Sequence, residues 1–219
     1  MHKTVQNLIN IENKIKSNLD DLNKSNLPNI IAVSKTFKID KILPLIEHGH
    51  LNFGENKVQE AVDKWSPIKE KKPNIQIHMI GKLQTNKVKF AVKLFDFIHS
   101  VDSEKLAKKI ADEQIKVKRN IKIFIQVNIG DEDQKSGISI SELNKLISYS
   151  KELHLDVVGL MCIPPVNINP LIFFKKMNEI NKSFNFPHLS MGMSSDYIDA
   201  VKHSATYLRI GSSIFGQRS

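Results

Sequence analysis

Asn29-Ile30-Ile31-Ala32-Val33-Ser34-Lys35 is the stretch that decides the fold. Four consecutive apolar residues, three of them β-branched, read as a strand buried on both faces, the kind found in parallel sheets. Pro28 bounds the run on one side. On the other, residues 40–48 read as a helix, with Asp40 as N-cap and Gly49 just past its end. A second short strand, 51–53, follows. Strand, helix, strand is a unit in which the helix makes the return crossing, so the strands pair in parallel.

The same alternation continues to the end of the sequence. Val58, Ala61, Val62 and Trp65 place a helix over 57–65. Strand 75–80 precedes helix 83–94, and strand 97–99 precedes helix 103–118, which opens on a Ser-Glu capping signal. The clearest strand is 121–127, followed by helix 141–153 with Ser141 as N-cap. Strand 155–161 leads to helix 170–184, where Pro170 suits the first turn. Strand 188–190, helix 195–203 and strand 207–210 complete the series. In front, Val5, Leu8, Ile9, Ile15, Leu19 and Leu22 have helical spacing. The expectation is an α/β protein with one domain, 1–219: a closed (β/α)8 TIM-type barrel carrying an extra N-terminal helix. The longest polar loop, 131–136, is a candidate lid.

Composition narrows the function classes. Of 219 residues, 41% are hydrophobic and 25% charged, an ordinary balance for a globular protein. Apolar runs stop at strand length, short of the roughly 20 residues that span a bilayer. The N-terminus lacks the apolar core of a signal peptide. The absence of both signals points to the cytoplasm, and the single cysteine, Cys162, rules out an internal disulfide and agrees with a reducing compartment. The net charge of +9 invites a nucleic-acid reading, but the lysines are spread along the chain and no aromatics interleave with them. The expectation is no nucleic-acid partner and no membrane.

In this fold the active site lies at the C-terminal ends of the strands. Those ends carry Lys35, Gly54-Glu55-Asn56, His78 with Gly81, His99-Ser100, Asn128, Met161-Cys162, Ser190 to Ser194, and Arg209 with Gly211-Ser212-Ser213. A lysine closing an apolar strand either snorkels to solvent or serves as an amine for an aldehyde. The second role needs the neutral form, which burial and nearby cations favour. Gly211-Ser212-Ser213 is either a plain turn or a phosphate cradle, and Ser194 at the start of a helix would add a donor and a helix N-terminus. Other lookalikes fall away. Glu55 stands where a P-loop after Gly49 would need lysine, and Asp196 stands where a nucleophile elbow would need glycine. Cys162 reads as a packed thiol, and His48 and His50 as solvent-facing. The eight histidines show no metal-ligand spacing, so no metal is expected.

Six ordered motifs then carry a resemblance. They are Ala32-Val33-Ser34-Lys35; Phe53-Gly54-Glu55-Asn56 with Val58-Gln59-Glu60; His78-Met79-Ile80-Gly81 with Leu83-Gln84-Thr85-Asn86-Lys87; Gly159-Leu160-Met161; Leu189-Ser190-Met191-Gly192-Met193-Ser194; and Arg209-Ile210-Gly211-Ser212-Ser213-Ile214-Phe215-Gly216. From about Ile30 onward the chain resembles the pyridoxal 5′-phosphate (PLP) homeostasis proteins, whose barrel is similar to the N-terminal domain of alanine racemase. It departs at Lys82, where the family usually has proline, and at Ser195, where an acidic residue is common; the first change is expected to alter a loop and not the cofactor site.

The resemblance implies PLP held as a Schiff base on Lys35, the pyridine nitrogen facing Arg209, the phosphate at Ser194, Gly211 and Ser212, and Asn56 near the ring. A fixed cation at the ring nitrogen weakens the electron sink. The racemase's second domain, with its tyrosine base, is not expected here, and no catalytic residue is assigned. The expectation is a monomeric PLP carrier that serves PLP-dependent apo-enzymes. A PLP-dependent amino-acid racemase is the alternative.

Overall fold

The computed structural model describes residues 1–22, 26–132 and 134–217. Eight strands close into one barrel in chain order: β1 (Asn29–Val33), β2 (Asn52–Glu55), β3 (Gln76–Met79), β4 (Phe97–Val101), β5 (Lys122–Val127), β6 (Asp156–Cys162), β7 (His188–Met193) and β8 (Tyr207–Ile210). Every neighbouring pair is parallel. The seam joins the first strand to the last, with Ile31 opposite Arg209 and Ala32 opposite Ile210.

Strand alternation sorts the side chains into two cores. Ile30, Ala32 and Phe53 belong to the larger core with the helices α2 (Ile39–Glu47), α3 (Val58–Lys71), α4 (Val88–Leu94), α5 (Glu104–Lys116), α6 (Ile140–Glu152), α7 (Pro170–Ser183) and α8 (Tyr197–Lys202). Ile31, Phe97, Phe124, Val158, Met161 and Tyr207 form a separate cluster, as expected of the barrel interior. The leading helix α1 (Lys3–Asp21) buries Leu8, Ile11, Ile15 and Leu19. It packs on α8 and on the short helix α9 (Ser212–Phe215), where Asn7 Nδ2 donates to the Ile214 carbonyl at 2.9 Å. No helix among the described residues is long and apolar enough to cross a membrane.

The element order matches the sequence reading, and the differences lie in boundaries and caps. β1 stops at Val33, so Lys35 sits beyond the strand in a turn. β7 runs to Met193, three residues past the expected end. α3 continues past Trp65 and through Pro67 to Lys71. The expected helix 83–94 is a 3-10 turn, Thr85–Lys87, followed by α4. Lys38 is the N-cap of α2, leaving Asp40 in its first turn, where its charge still complements the helix dipole. Ser139, not Ser141, caps α6: its Oγ accepts from Glu142 N at 3.3 Å and donates to Glu142 Oε2 at 2.7 Å. α9 was missed because one turn is too short to show periodicity. The loop 131–136, with residue 133 outside the described residues, is tied down: Asn128 Nδ2 donates to Glu132 O and Lys135 Nζ to Pro164 O, both at 3.0 Å.

Two strand-end histidines lie inside the barrel and not on its rim. His78 stacks on Phe97 at 4.4 Å and His99 on Phe124 at 4.3 Å, all four buried. They join a chain of hydrogen bonds: Arg209 Nη1 to Ser190 Oγ, 2.7 Å; Ser190 Oγ to His99 Nδ1, 2.9 Å; His99 Nε2 to His78 Nδ1, 3.0 Å; His78 Nε2 to Asn52 Oδ1, 3.0 Å. Arginine only donates and the Asn52 carbonyl oxygen only accepts. Burial keeps both rings neutral, lowering His78 to about 3 and His99 well below its ordinary value. With both neutral, the acceptor at Asn52 puts the hydrogen of each ring on Nε2. His50 also departs from expectation. It is half-buried, its Nε2 bonds to Asn52 O at 2.9 Å, and burial lowers it to about 4.

Two measurements check this architecture. Leu8→Ala, at a position 1% exposed, is expected to lower urea-measured stability by about 2–5 kcal/mol; a change near zero would show that α1 is not part of the core. The depressed histidines make the unfolded chain bind more protons below pH ~6.5. Stability is therefore complete above that pH and falls as pH drops toward about 3, by at most about 1.4 kcal/mol per unit for each histidine. Between pH ~6.5 and ~5, above the ordinary carboxylate range, the slope is expected to shrink in His78→Gln.

Candidate functional site

A cavity of about 670 Å³ opens at the C-terminal ends of the strands, and all six residues singled out in the sequence line it: Lys35, Asn56, Ser194, Arg209, Gly211 and Ser212. They come from the segments after β1, β2 and β7, from β8 and Gly211 behind it, and from the start of α9. Lys82 is exposed and lines two adjoining pockets instead of this cavity; Ser195 does line it.

Lys35 occupies a tight turn. Phe37 N donates back to Ser34 O at 3.2 Å, and Thr36 has φ +68°. Phe37 stacks on Phe215 at 4.8 Å, which ties this turn to α9 on the same rim.

Arg209 is 4% exposed. Nη1 donates to Ser190 Oγ and Nη2 to the Cys162 carbonyl at 2.8 Å, so the guanidinium is fixed from behind. Burial lowers its pKa, opposed by Cys162 and Asp196, and arginine stays cationic at physiological pH. Burial likewise pushes the Cys162 thiol up to about 12, so it is no nucleophile.

Ser194 lies in the turn after β7, not at a helix start, because α8 begins at Tyr197 with Asp196 before it. Its Oγ accepts from Gly211 N and from Ser213 N, both at 3.3 Å. Two backbone N–H groups at the start of α9 thus converge on one oxygen, an arrangement that also suits a phosphate oxygen. The helix terminus expected beside Ser194 is supplied by α9.

Asn56 is held by close packing: a Cβ at Gly81 would come within 2.6 Å of its backbone oxygen. Its side-chain Oδ1 is buried with no hydrogen-bond partner among the described residues. An orphaned acceptor on a polar cavity is a place for a ligand's donor. Amine, fixed cation, paired amides and spare acceptor together fit PLP: Lys35 for the aldehyde, Arg209 for the ring nitrogen, the Ser194–Ser213 corner for the phosphate. Of the supports behind Lys35 and Arg209, Glu60 and Ser190 lie within quoted motifs and His99 at a strand end, but with no supporting role assigned, and Lys64 escaped sequence reasoning. Their roles depend on contacts between elements distant in sequence.

Comparison with known proteins agrees. The family model described as alanine racemase, N-terminal domain, matches residues 11–219. The chain is 35% identical to the pyridoxal phosphate homeostasis protein of Haemophilus influenzae, over 97% of this chain and 95% of that one. To the Escherichia coli protein of the same name it is 34% identical, over 100% and 98%. The solved structure of PipY from Synechococcus elongatus with PLP bound is 32% identical, with a TM-score of 0.80 over 92% of this chain and 100% of that one. Clostridium difficile alanine racemase, 13% identical with a TM-score of 0.70, shares the fold over 93% of this chain and 56% of its own. The chain belongs to the pyridoxal phosphate homeostasis protein family, built on the barrel of the alanine racemase N-terminal domain.

Proposed function

We propose that this chain binds PLP through an imine on Lys35 and serves as a PLP carrier in cofactor homeostasis. One observation carries the reading: the amine of Lys35, the guanidinium of Arg209, the orphaned Asn56 Oδ1 and the Ser194–Gly211–Ser212 corner share a single cavity. Bound there, PLP supplies a reactive aldehyde and an electron-withdrawing ring. The chain's residues do the rest. Lys35 is the amine that condenses with the aldehyde. Arg209, held by Ser190 and the Cys162 carbonyl, keeps a cation where a carboxylate would be needed to protonate the ring nitrogen. Ser194, Gly211 and Ser212 grip the phosphate, and Asn56 Oδ1 accepts from the ligand beside the ring.

Binding is favoured over turnover. Lys35 and Arg209 are the titratable side chains among the described residues lining the cavity. A racemase exchanging one proton between two faces needs a second base, and none of the tyrosines Tyr149, Tyr197 and Tyr207 lines it. The carrier reading further holds that the chain is one domain, 1–219, working as a cytoplasmic monomer that hands PLP to PLP-dependent apo-enzymes. The single cysteine supports a reducing compartment.

Borohydride reduction of the PLP-loaded protein followed by peptide mapping tests the assignment. The pyridoxyl group is expected on Lys35, and Lys35→Ala is expected to lose the imine absorbance while keeping its far-UV spectrum. An adduct on another lysine overturns it. Incubating the loaded protein with single enantiomers of amino acids separates the two functions: no racemisation above free PLP is expected, and sustained turnover would favour the racemase.

A further inference from the structure

We propose that Glu60 and Lys64 are positioning residues that present the Lys35 amine by clamping the backbone on either side of it. The proposal rests on Lys35 being the imine lysine. β1 ends at Val33 and Ser34 N still donates to Gly54 O at 3.0 Å, so Lys35 lies in the turn just beyond the sheet. Two side chains of α3 take over where the sheet stops. Lys64 Nζ donates to the Ser34 carbonyl at 3.0 Å, and Glu60 Oε1 accepts from Thr36 N at 2.7 Å. The residues before and after Lys35 are thus gripped by neighbours one helical turn apart. Lys64 also donates to Glu60 Oε1 at 3.1 Å and to Glu55 Oε1 at 3.0 Å, which joins both grips into one unit.

Glu55 anchors that unit. It is fully buried, and its Oε1 also accepts from Ser34 Oγ at 2.7 Å and from Trp65 Nε1 at 2.9 Å. Ser34 is therefore held through its hydroxyl as well as its carbonyl. Thr36 supplies the reason for a clamp. Its φ of +68° is a conformation that β-branched residues resist, in a turn position that favours glycine or asparagine. Without the Glu60 carboxylate, the turn relaxes and the amine shifts. Lys64 and Thr36 N hold Glu60 ionised, lowering its pKa against the opposing effect of burial.

Capture forms a C–N double bond between the amine and the aldehyde carbon and expels water; release reverses it, with water or another amine taking the carbon. Both directions need the amine in one place. Glu60→Ala is expected to slow capture at least about tenfold, given that a 1 Å misplacement costs about 100-fold. Stopped-flow absorbance of the full-length chain with PLP reads this rate, with the melting temperature as a control for folding.

Three variants distinguish positioning from general stability. E60Q keeps an acceptor oxygen for Thr36 N and is expected to recover part of the rate. T36G in the E60A background is expected to restore it, because glycine adopts positive φ unaided. Wild-type capture in E60A, or a defect that T36G leaves unchanged, overturns the proposal. Should E60A not fold, E60Q and E60Q/T36G carry the test, with a wild-type rate in E60Q overturning it. Borohydride mapping of the wild type keeps the two readings apart. An adduct away from Lys35 removes the premise, whereas an adduct on Lys35 with unchanged E60A kinetics removes the clamp alone.

Discussion

The pairing of β1 with β8 is the constraint on which the site depends. Ile31 sits opposite Arg209 and Ala32 opposite Ile210, so the turn carrying Lys35 emerges beside Gly211 and Ser212. No local sequence signal brings residues so far apart together. Closure does it, because eight parallel strands with helical crossings leave the first strand no other partner on that side. α1 reinforces the seam by covering α8 and α9 and bonding to the Ile214 carbonyl. Phe37 on Phe215 ties the segment after β1 to the one after β8 on the same rim.

What was legible in the sequence was periodicity and residue type. The β1 run, the eight-fold alternation and the polar ends of the strands could be read directly. The cavity-lining set followed from fold logic and motif resemblance together. What was not legible depended on geometry across strands. His78 and His99 looked like rim residues because alternation cannot tell the inward face of a barrel strand from its end. Here they stack on Phe97 and Phe124. Ser141 and Ser139 are chemically equal caps, and only the bonds with Glu142 separate them. α9, a single turn, carries no period.

Both functional groups are supported by buried polar networks. Behind Arg209 runs an ordered line of donors through two neutral histidines to Asn52. Behind Lys35 stand Glu55, Glu60 and Lys64. Buried polar groups are costly unless satisfied; Glu55 Oε1 accepts three hydrogen bonds, while its Oε2 is buried with no partner among the described residues. The barrel interior is thus an aromatic and imidazole stack that fixes the cation, while α3 fixes the amine. The cavity between them keeps Asn56 Oδ1 in reserve.

The seam has a consequence for biosynthesis. Chains emerge from the ribosome N-terminal end first, and parallel barrels reward their longest-range contacts last. Lys35 is made early, but the Ser194–Gly211–Ser213 corner across the cavity exists only once residues 209–213 have been translated and β8 has zipped onto β1. A nascent or truncated polypeptide therefore offers a lysine without a binding cleft. Under the proposed function, retention of the aldehyde is a property of the finished barrel alone.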